Sequence, residues 1–466
     1  MKPAVKTMPR QKKSPAGTVS TVSLPLVNAK AAGIDVGSRF HMVAVGQDKV
    51  NDVVEFGVTT PDLHELCQFL TKSGIQKVAM ESTGYYWIPL FWMLQSYGFE
   101  TIVVNPADVK KFKKTDVSDA LWIQQLHTIG VLTASFQVDN FGETLRNFVR
   151  RRRTLIQDRN RYMNRMHKVL ILMNVQIGTQ LTDLGGVSGM DIIRAIVAGE
   201  RNPNKLISFI RKGVKTAKEE ILKALQGAWQ PQFLFELKQL LQSYDMASEQ
   251  MKDCDQQIEE LLKAWHSDNN LNPPDPEEPP KPSEKKAKDG KNLPPFQVTR
   301  LLNNMVGVDL LEVGGLNGGS MLEIIAETGT DLHQFPSDQH FASWLGLAPN
   351  NKKSGGKPLS SKTPKRNNRA ANAFRQVANA VGRSNKHPLK AFFHTIQKRK
   401  GWKAAVTATA RKLAVIYFNM VTKNQPFDYQ KSEQQLQKQR QATLRKIQKS
   451  IKELNFSIEE LNAIAA

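Results

Sequence analysis

The sequence predicts an α/β domain near its N-terminal end, followed by long helices and then by a mainly helical C-terminal part. Three observations indicate this arrangement. Strand-like and helix-like apolar runs alternate up to residue 138, two long heptad-spaced stripes follow, and a segment rich in Pro and charge comes next. The 466 residues suffice for several domains with buried cores, and no run approaches the roughly 18 apolar residues of a membrane-spanning helix.

Residues 30–138 alternate between strand and helix patterns. The pattern predicts three strands in AGIDVGSRFHMVAVGQ and NDVVEFGVTT, a helix in PDLHELCQFLTKSG and a buried strand in IQKVAMEST. It continues with a helix in YYWIPLFWMLQSYG, a strand in FETIVVNP and a closing helix in ADVKKFKKTDVSDALWIQQLHTIG. Three strands followed by alternating helices and strands is the element order of an RNase H-like, or RuvC-like, α/β fold. Residues 1–29, which are polar and basic, predict a disordered tail, with a transit peptide as the alternative.

Two apolar stripes predict a coiled-coil helical region over residues 139–268, because their members recur about every 3.5 residues. The first stripe, within residues 141–175, comprises Leu145, Phe148, Leu155, Tyr162, Met166, Val169 and Met173. The second comprises Leu234, Leu237, Leu241, Tyr244, Met251, Ile258, Leu261 and Trp265. Their similar lengths predict an antiparallel helical hairpin, with pairing between two subunits as the alternative.

The remaining sequence divides into three segments of different composition. Residues 269–296 are rich in Pro and charged residues, which predicts a linker, and residues 427–466 predict an amphipathic helix. Between them, residues 297–426 predict a mixture of helix and loop. The helical runs of that part are centred on Ser320–Glu327, Arg369–Val381 and Ala404–Thr422.

The charge balance predicts a nucleic-acid partner. Lys and Arg number 65 and Asp and Glu 43, so the formal net charge is +22. A basic surface releases counterions when it neutralises phosphates, and this release drives binding. A ribosomal-type or merely solubilising excess is the alternative, but arginines cluster on the first long helix. The basic residues of that helix are Arg146, Arg150, Arg151, Arg152, Arg153, Arg159, Arg161, Arg165 and Lys168.

Four carboxylates in the α/β region predict a metal site. Asp35 and Glu81 lie at the ends of predicted strands, and Asp116 and Asp119 open a predicted helix three residues apart. Divalent cations prefer hard oxygen ligands, and carboxylates converging from several elements can hold the ions that assist phosphoryl transfer. The alternative is structural: Asp35 begins a turn, Glu81 caps the next helix, and Asp116 and Asp119 occupy the N-cap and N3 positions.

The order of these carboxylates resembles that of the DEDD insertion-sequence transposases, the group that includes the Piv/MooV DNA invertases. Two later blocks, AETGTDLHQFPSDQHFASWLGLAPNNKKSGGKPLSSK and RNNRAANAFRQVANA, resemble the C-terminal transposase domain of that family. The resemblance covers roughly residues 30–425. One block departs from the family: the helix–hairpin–helix entry is replaced by the longer, Gly-rich MVGVDLLEVGGLNGGSMLEIIAE.

The resemblance implies that Ser354, in KKSGGK, is a nucleophile that forms a covalent link to DNA beside the metal-binding carboxylates. Two glycines after it allow close approach to a phosphate, and Lys357 can neutralise its charge. A flexible Ser-Gly-Gly loop is the alternative interpretation of the motif. Ser360 and Ser361 are the neighbouring competitors for the role.

The same resemblance implies the cofactors and partners. We expect Mg²⁺ or Mn²⁺, a structured guide (bridge) RNA, donor and target double-stranded DNA, and a homodimer that assembles into a tetramer. The expected location is the bacterial cytoplasm, at the nucleoid. The two cysteines have no metal-ligand spacing, which agrees with free thiols in a reducing cytoplasm. The residues that we expect to contact nucleic acid are Lys113, Lys114, Arg146, Arg150, Arg153 and Lys357.

Two other functions stay open from the sequence. One is a RuvC-like metal-dependent nuclease or Holliday-junction resolvase, in which Ser354 is only structural. The other is a nucleic-acid-binding protein whose carboxylates no longer catalyse a reaction. Formation of a denaturant-stable protein–DNA adduct distinguishes the first hypothesis from both.

Overall fold

The computed structural model describes eleven segments of the chain and six isolated residues beyond them. The segments are 26–46, 53–82, 84–106, 109, 116–214, 216–272, 292–354, 357–364, 366, 368–384 and 387–428. At six of these positions only the backbone is described, namely Asp116, Val117, Lys352, Lys353, Lys357 and Pro358. Most of the predicted tail, linker and C-terminal helix therefore lies outside the described residues. The chain forms two compact units, of which the first ends at Gln137 and the second begins at Val138.

In its described residues the first unit contains a five-stranded mixed sheet and three helices. Its elements are β1 (Ala31–Val36), β2 (His41–Ala44), β3 (Val53–Phe56), α1 (Thr60–Lys72), β4 (Lys77–Glu81), α2 (Trp87–Ser96), β5 (Glu100–Val104) and α3 (Asp116–Thr128). The strand order is β3-β2-β1-β4-β5, with antiparallel pairing among the first three and parallel pairing of β4 with β1 and β5. The predicted succession of strands and helices is confirmed, and it is consistent with an RNase H-like domain.

The two faces of this sheet bury different sets of side chains. Ile34 of β1 and Met80 of β4 pack with the apolar residues of α1 and α2. Ala79 of β4 and Val104 of β5 pack on the other face, against Ile123 of α3. The middle of β4 is fully buried because parallel central strands are covered on both faces. This two-sided burial explains the unbroken apolar run of its sequence.

The second unit is mainly helical. Its elements are α4 (Asn140–Leu172), α5 (Ile177–Gln180), α6 (Val187–Val197), α7 (Pro203–Leu206), α8 (Lys218–Ala224), α9 (Pro231–Asp268), α10 (Val298–Val306), α11 (Gly318–Thr328), α12 (Asp338–Trp344), β6 (Lys352–Ser354), β7 (Lys357–Ser360), α13 (Arg369–Arg383), α14 (Lys390–Lys400) and α15 (Trp402–Lys423). The described connections also contain the 3₁₀ helices Ile207–Phe209 and Leu310–Val313. None of the described helices is both long and apolar enough to cross a membrane.

Helices α4 and α9 pack against each other in antiparallel orientation within the chain. The ring centroids of Phe141, at the start of α4, and Trp265, at the end of α9, are 5.9 Å apart. Near the other end, Met166 of α4 shares an apolar core with Leu237 and Leu241 of α9. The carboxylate of Asp139 caps α4 by accepting a hydrogen bond from the backbone N–H of Gly142 at 2.7 Å.

The C-terminal part of the second unit confirms the three predicted helices, which are α11, α13 and α15. The sequence did not predict α10, α12, α14 or the hairpin of β6 and β7. Helix α12 has only seven residues, whereas the apolar residues of α10 recur at helical spacing and could have indicated it. Their packing depends on an aromatic core in which Phe341 lies 5.6 Å from Phe418 and 6.2 Å from Tyr417, measured between ring centroids.

Candidate active site

Asp35 and Glu81 occupy neighbouring strands on the same face of the sheet. In the parallel pairing of β1 with β4, Ile34 lies opposite Met80, and each carboxylate residue comes next along its strand. Side chains alternate along a strand, so the burial of Ile34 and Met80 on the α1–α2 face directs Asp35 and Glu81 to the other face. Both side chains are partly buried.

Helix α3 covers this second face and contacts β1 closely at Gly33. A Cβ atom at Gly33 would lie 2.2 Å from the backbone nitrogen of Gln124 and 2.5 Å from the carbonyl oxygen of Ala120. Only glycine permits such an approach. A glycine inside an apolar strand is the sequence signal for it, although the sequence interpretation did not single out Gly33.

The direction of α3 brings its first turn toward Asp35. The side-chain amide of Gln124 donates a hydrogen bond to the carbonyl oxygen of Ala31, at the beginning of β1. The helix therefore runs opposite to β1. One turn of helix back from Ala120 to Asp116 rises about 6 Å, which matches the roughly 6.6 Å from Gly33 to Asp35 along the strand.

The backbone thus brings together the elements that carry all four predicted carboxylates. The side chain of Asp119 is partly buried, while that of Asp116 is outside the description. Among the side chains that the structure describes, no three from His, Cys, Asp and Glu are grouped closely enough to hold an ion. The donor set nevertheless fits a divalent cation, because Asp35, Glu81 and Asp119 offer only hard carboxylate oxygens.

Ser354 belongs to the second unit and is exposed. It ends β6, and its Cα pairs with that of Lys357 at the start of β7. The base of this hairpin is closed by a hydrogen bond from the backbone N–H of Asn350 to the carbonyl oxygen of Lys362, at 3.0 Å. Of the two competing serines, Ser360 is partly buried and accepts a hydrogen bond from the N–H of Lys362.

Several arginines of α4, including three that we expect to contact nucleic acid, form contacts with neighbouring helices in the structure. Arg146 is only 8% exposed and donates hydrogen bonds to the carbonyl oxygens of Ala326 and Glu327. Arg150 forms two hydrogen bonds, of 2.8 and 2.7 Å, with the carboxylate of Glu327. Burial lowers the pKa of Arg146, and the carboxylates of Glu327 and Glu143 oppose that shift.

Two further arginines of α4 also face protein. Arg153 pairs with Glu323 of α11 at 2.9 Å, and Arg152 is buried in an ion pair with Asp255 of α9. Acidic residues on α9 and α11 therefore bind this side of α4, and nucleic-acid contact by Arg146, Arg150 and Arg153 stays a prediction. The exposed cations of the helix are Arg151, Arg161, Arg165 and Lys168.

The other predicted nucleic-acid contacts have no described side chain. Lys113 and Lys114 lie outside the described residues, and Lys357 is described only as backbone in β7. In the Gly-rich entry block, Gly314 and Gly315 adopt positive φ angles of 74° and 75°, which turn the chain before α11. The side chain of Asn317 then caps that helix.

Comparison with protein families gives two matches along the chain. A family model for DEDD transposases of the IS110 type, described as a transposase, matches residues 32–174. A second model, described as the transposase of the IS116/IS110/IS902 family, matches residues 309–394. No curated protein matches the chain.

These matches cover the positions that the chemistry singled out. The first contains the four carboxylates of the α/β unit, and the second contains Ser354. A DEDD domain implies a divalent metal, and a transposase implies a DNA substrate. The chain belongs to the DEDD insertion-sequence transposases, which are enzymes that cut and rejoin DNA.

Proposed function

We propose that this transposase cuts DNA by joining it covalently to Ser354, at a site whose divalent metal is held by Asp35, Glu81, Asp116 and Asp119. Mg²⁺ is the expected ion, with Mn²⁺ as the close substitute. The observation that carries the proposal is the common sheet edge, where β1, β4 and the first turn of α3 meet.

The elements that carry the carboxylates are rigid enough to hold a divalent cation. Asp35 and Glu81 belong to paired strands in a rigid sheet, and α3 is held against β1 at Gly33. When bound, a divalent cation would neutralise charge on the phosphate oxygens during phosphoryl transfer. The carboxylates would fix where that cation lies, because rigid elements hold their oxygens in place.

The covalent step assigned to Ser354 balances without a further reactant. Its Oγ forms a bond to phosphorus, while the bond from phosphorus to one deoxyribose oxygen breaks. The proton lost by the serine hydroxyl balances the proton gained by the departing oxygen, so the released strand ends in a hydroxyl group. Since the phosphate remains esterified, the reverse reaction with another strand end rejoins DNA without an energy source.

We also propose that a structured RNA from the same element guides the enzyme, and that dimers of the chain assemble into tetramers. The family resemblance is the basis for both. The net charge of +22 supports a polyanionic partner beyond the metal site.

The test of the nucleophile is a covalent adduct. The full chain is incubated with Mg²⁺, a labelled DNA fragment that spans one end of the element, and RNA transcribed from the non-coding segment beside the gene. We expect a protein–DNA band that survives denaturant and disappears with Ser354→Ala. Ser267→Ala, at an exposed position of α9, is the control, and Ser361→Ala tests the exposed competitor seven residues away.

The outcomes separate the competing functions. DNA cleavage that persists in Ser354→Ala without an adduct supports the metal-only nuclease and removes the role of Ser354. An adduct that moves to Ser360 or Ser361 reassigns the nucleophile. Absence of cleavage with wild-type protein, metal and RNA favours a non-catalytic binding protein.

A further inference from the structure

A basic groove lies between α14, α15 and the segments on either side of the Ser354 hairpin. Its volume is about 920 Å³, at the upper end of the roughly 300–1,000 Å³ of small-molecule pockets. The groove therefore has room for a ligand as large as those that fill the largest small-molecule pockets. Six of its lining residues are cations, namely Lys362, Arg399, Lys400, Lys403, Arg411 and Lys412.

These six cations differ from the arginines of α4. Arg146, Arg150, Arg152 and Arg153 pair with carboxylates of neighbouring helices. Within the part of the chain that the structure describes, none of the six groove cations forms an ion pair, and Asp338 is the single acidic residue of the lining. Cations gathered without carboxylate partners repel one another, so an anionic ligand would stabilise the cluster.

One of these cations is partly withdrawn from water. The ammonium group of Lys412 lies 4.8 Å from the centre of the Phe392 ring. Burial lowers the pKa of Lys412. A cation held in this position gains more from an incoming phosphate than a fully hydrated lysine does, because screening by water is weaker.

Apolar side chains also line the groove, and they are less exposed than four of its cations, Lys362, Arg399, Lys400 and Lys403. Ile396 of α14 and Ala404 and Val415 of α15 line it, and all three are partly accessible. Paired DNA presents phosphates outward and keeps its bases stacked inside. An unpaired strand, however, can place its bases on apolar side chains while its phosphates meet exposed cations.

The groove adjoins the hairpin that carries Ser354. Pro349 and Ser361, which line the groove, flank the two strands of the hairpin in the sequence. Ser354 is five residues from Pro349, so at most about 18 Å of extended chain separates them. A few nucleotides can span that distance.

From these observations we infer that the groove binds unpaired nucleotides of the DNA strand, next to the phosphate that Ser354 attacks. The binding itself follows from the charge and shape of the groove. The link to the attacked phosphate rests on the function proposed for Ser354.

The test measures binding separately from cutting. The full chain is titrated, in EDTA, against a fluorescent single-stranded DNA of about 16 nucleotides, the upper end of the site sizes of such grooves. The groove variant carries Arg399→Gln, Lys400→Gln and Lys403→Gln, all at exposed positions. The matched control carries Lys218→Gln, Lys223→Gln and Lys238→Gln, which remove the same charge from exposed positions on α8 and α9.

We expect the groove variant to bind the strand about ten- to a hundred-fold more weakly at 0.1 M salt. The plot of the logarithm of the binding constant against the logarithm of salt concentration should also become shallower, by about 2, because each of three lost phosphate contacts contributes about 0.7 to its slope. The control should bind nearly as wild type. Equal losses in both variants would show a general charge effect and overturn the inference. A single change, Lys403→Gln against Lys218→Gln, repeats the comparison if the melting curve of the triple variant differs from that of wild type.

Two more ligands test the identity of the strand. If the groove variant loses more affinity for a blunt duplex of the same sequence than for the single strand, the groove binds paired DNA. If it loses more affinity for an RNA strand, the groove binds RNA. Either result overturns the proposed occupant. In the adduct assay, the groove variant should need more DNA for half-maximal adduct but reach the wild-type amplitude, whereas failure of the Ser354 proposal leaves the binding difference intact.

Discussion

At the scale of single residues, Gly33 decides how closely α3 can approach the central strand. The backbone of Ala120 and Gln124 fills the space that a side chain would need. Because Asp119 is carried by the same helix, the position of a candidate metal ligand depends on a residue that has no side chain. A search of the sequence for charged residues alone does not find Gly33.

Replacing Gly33 with Ala tests this role. The added methyl group would meet backbone atoms at 2.2 and 2.5 Å, so either the strand or α3 must shift. We expect a destabilisation of about 1–3 kcal/mol, or more, and a marked loss of DNA cleavage. Thermal unfolding and cleavage rate measure the two effects. Gly319→Ala is the control, because its new Cβ would lie 3.5 Å from the nearest atom; a Gly33→Ala protein with unchanged melting and cleavage would refute the argument.

Glu323 gives a prediction about pH at the same scale. Burial raises the pKa of Glu323 above its usual value, and the charge of Arg153 only partly opposes this shift. The folded state therefore binds this proton more readily than the unfolded chain does. Protonated Glu323 therefore contributes to the free energy of unfolding. This contribution is fully present below the pKa of the unfolded chain, about 4.3, and is lost as the pH rises through the higher pKa of the folded protein.

The charge of Glu323 accordingly costs stability at pH 7. We expect Glu323→Gln, which keeps an oxygen for Arg153, to raise the thermal midpoint at pH 7 by up to a few degrees. The gain should shrink as the pH approaches 4, because the wild-type group is then protonated. Glu327→Gln should lower the midpoint instead, since Arg146 and Arg150 lose their paired carboxylate. A Glu323→Gln gain that does not change with pH would contradict the assignment.

At the scale of secondary-structure elements, α4 is joined to its neighbours by arginines. Arg152 connects it to α9, while Arg146, Arg150 and Arg153 connect it to α11. The helix therefore organises the second unit through its polar side as well as through its apolar stripe. A basic stripe on a long helix is thus not sufficient evidence for a nucleic-acid surface.

The buried pair of Arg152 and Asp255 provides the test at this scale. Their side chains are only 6% and 5% exposed, so Arg152→Met leaves a buried carboxylate without its partner. We expect a loss of about 3–5 kcal/mol, most of it recovered when Asp255→Leu is added. Urea unfolding of the two variants measures this. Arg194→Ala should cost no more than about 1 kcal/mol, because the pair of Arg194 with Asp245 is exposed; similar losses for both pairs would argue against the role of burial.

At the scale of the whole molecule, the charge is divided unequally. The first unit holds 14 of the 65 Lys and Arg residues and 11 of the 43 Asp and Glu residues, a net charge of +3, which leaves +19 in the second. The acidic candidate site and most of the positive charge therefore belong to different units. We expect DNA binding and DNA cutting to be separable for this reason.

A variant with Asp35→Asn and Glu81→Gln tests the separation. Removing a residue that only supports a metal ligand lowers activity by about 10–100-fold. Because this variant removes two proposed ligands themselves, its cleavage rate should fall by more than that. Its affinity for DNA in EDTA should equal that of wild type, with the same steep decrease between 50 and 200 mM salt. Gel-based cleavage and fluorescence anisotropy measure the two properties. A parallel loss of binding would mean that the carboxylates support the DNA-binding surface instead of the chemistry.

The amino-acid sequence by itself determined the order of strands and helices in the first unit, the extents of α4 and α9, and the positions of Asp35, Glu81 and Asp119 at the ends of their elements. Apolar periodicity and end signals act between residues close in the sequence, so they can be recognised without a fold. Helix α12 has only seven residues and gives a weak local signal, whereas α10 was missed although Val298, Leu301, Leu302, Met305 and Val306 recur at helical spacing.

Only the tertiary structure decided which side chains meet. Arg146 is buried against residues 180 and 181 positions away, and the groove beside the Ser354 hairpin is assembled from two helices and two separate loop segments. The approach of α3 to Gly33 likewise joins residues about 90 positions apart. Whether a charged side chain meets a carboxylate or solvent depends on such distant contacts, and local pattern carries no information about them.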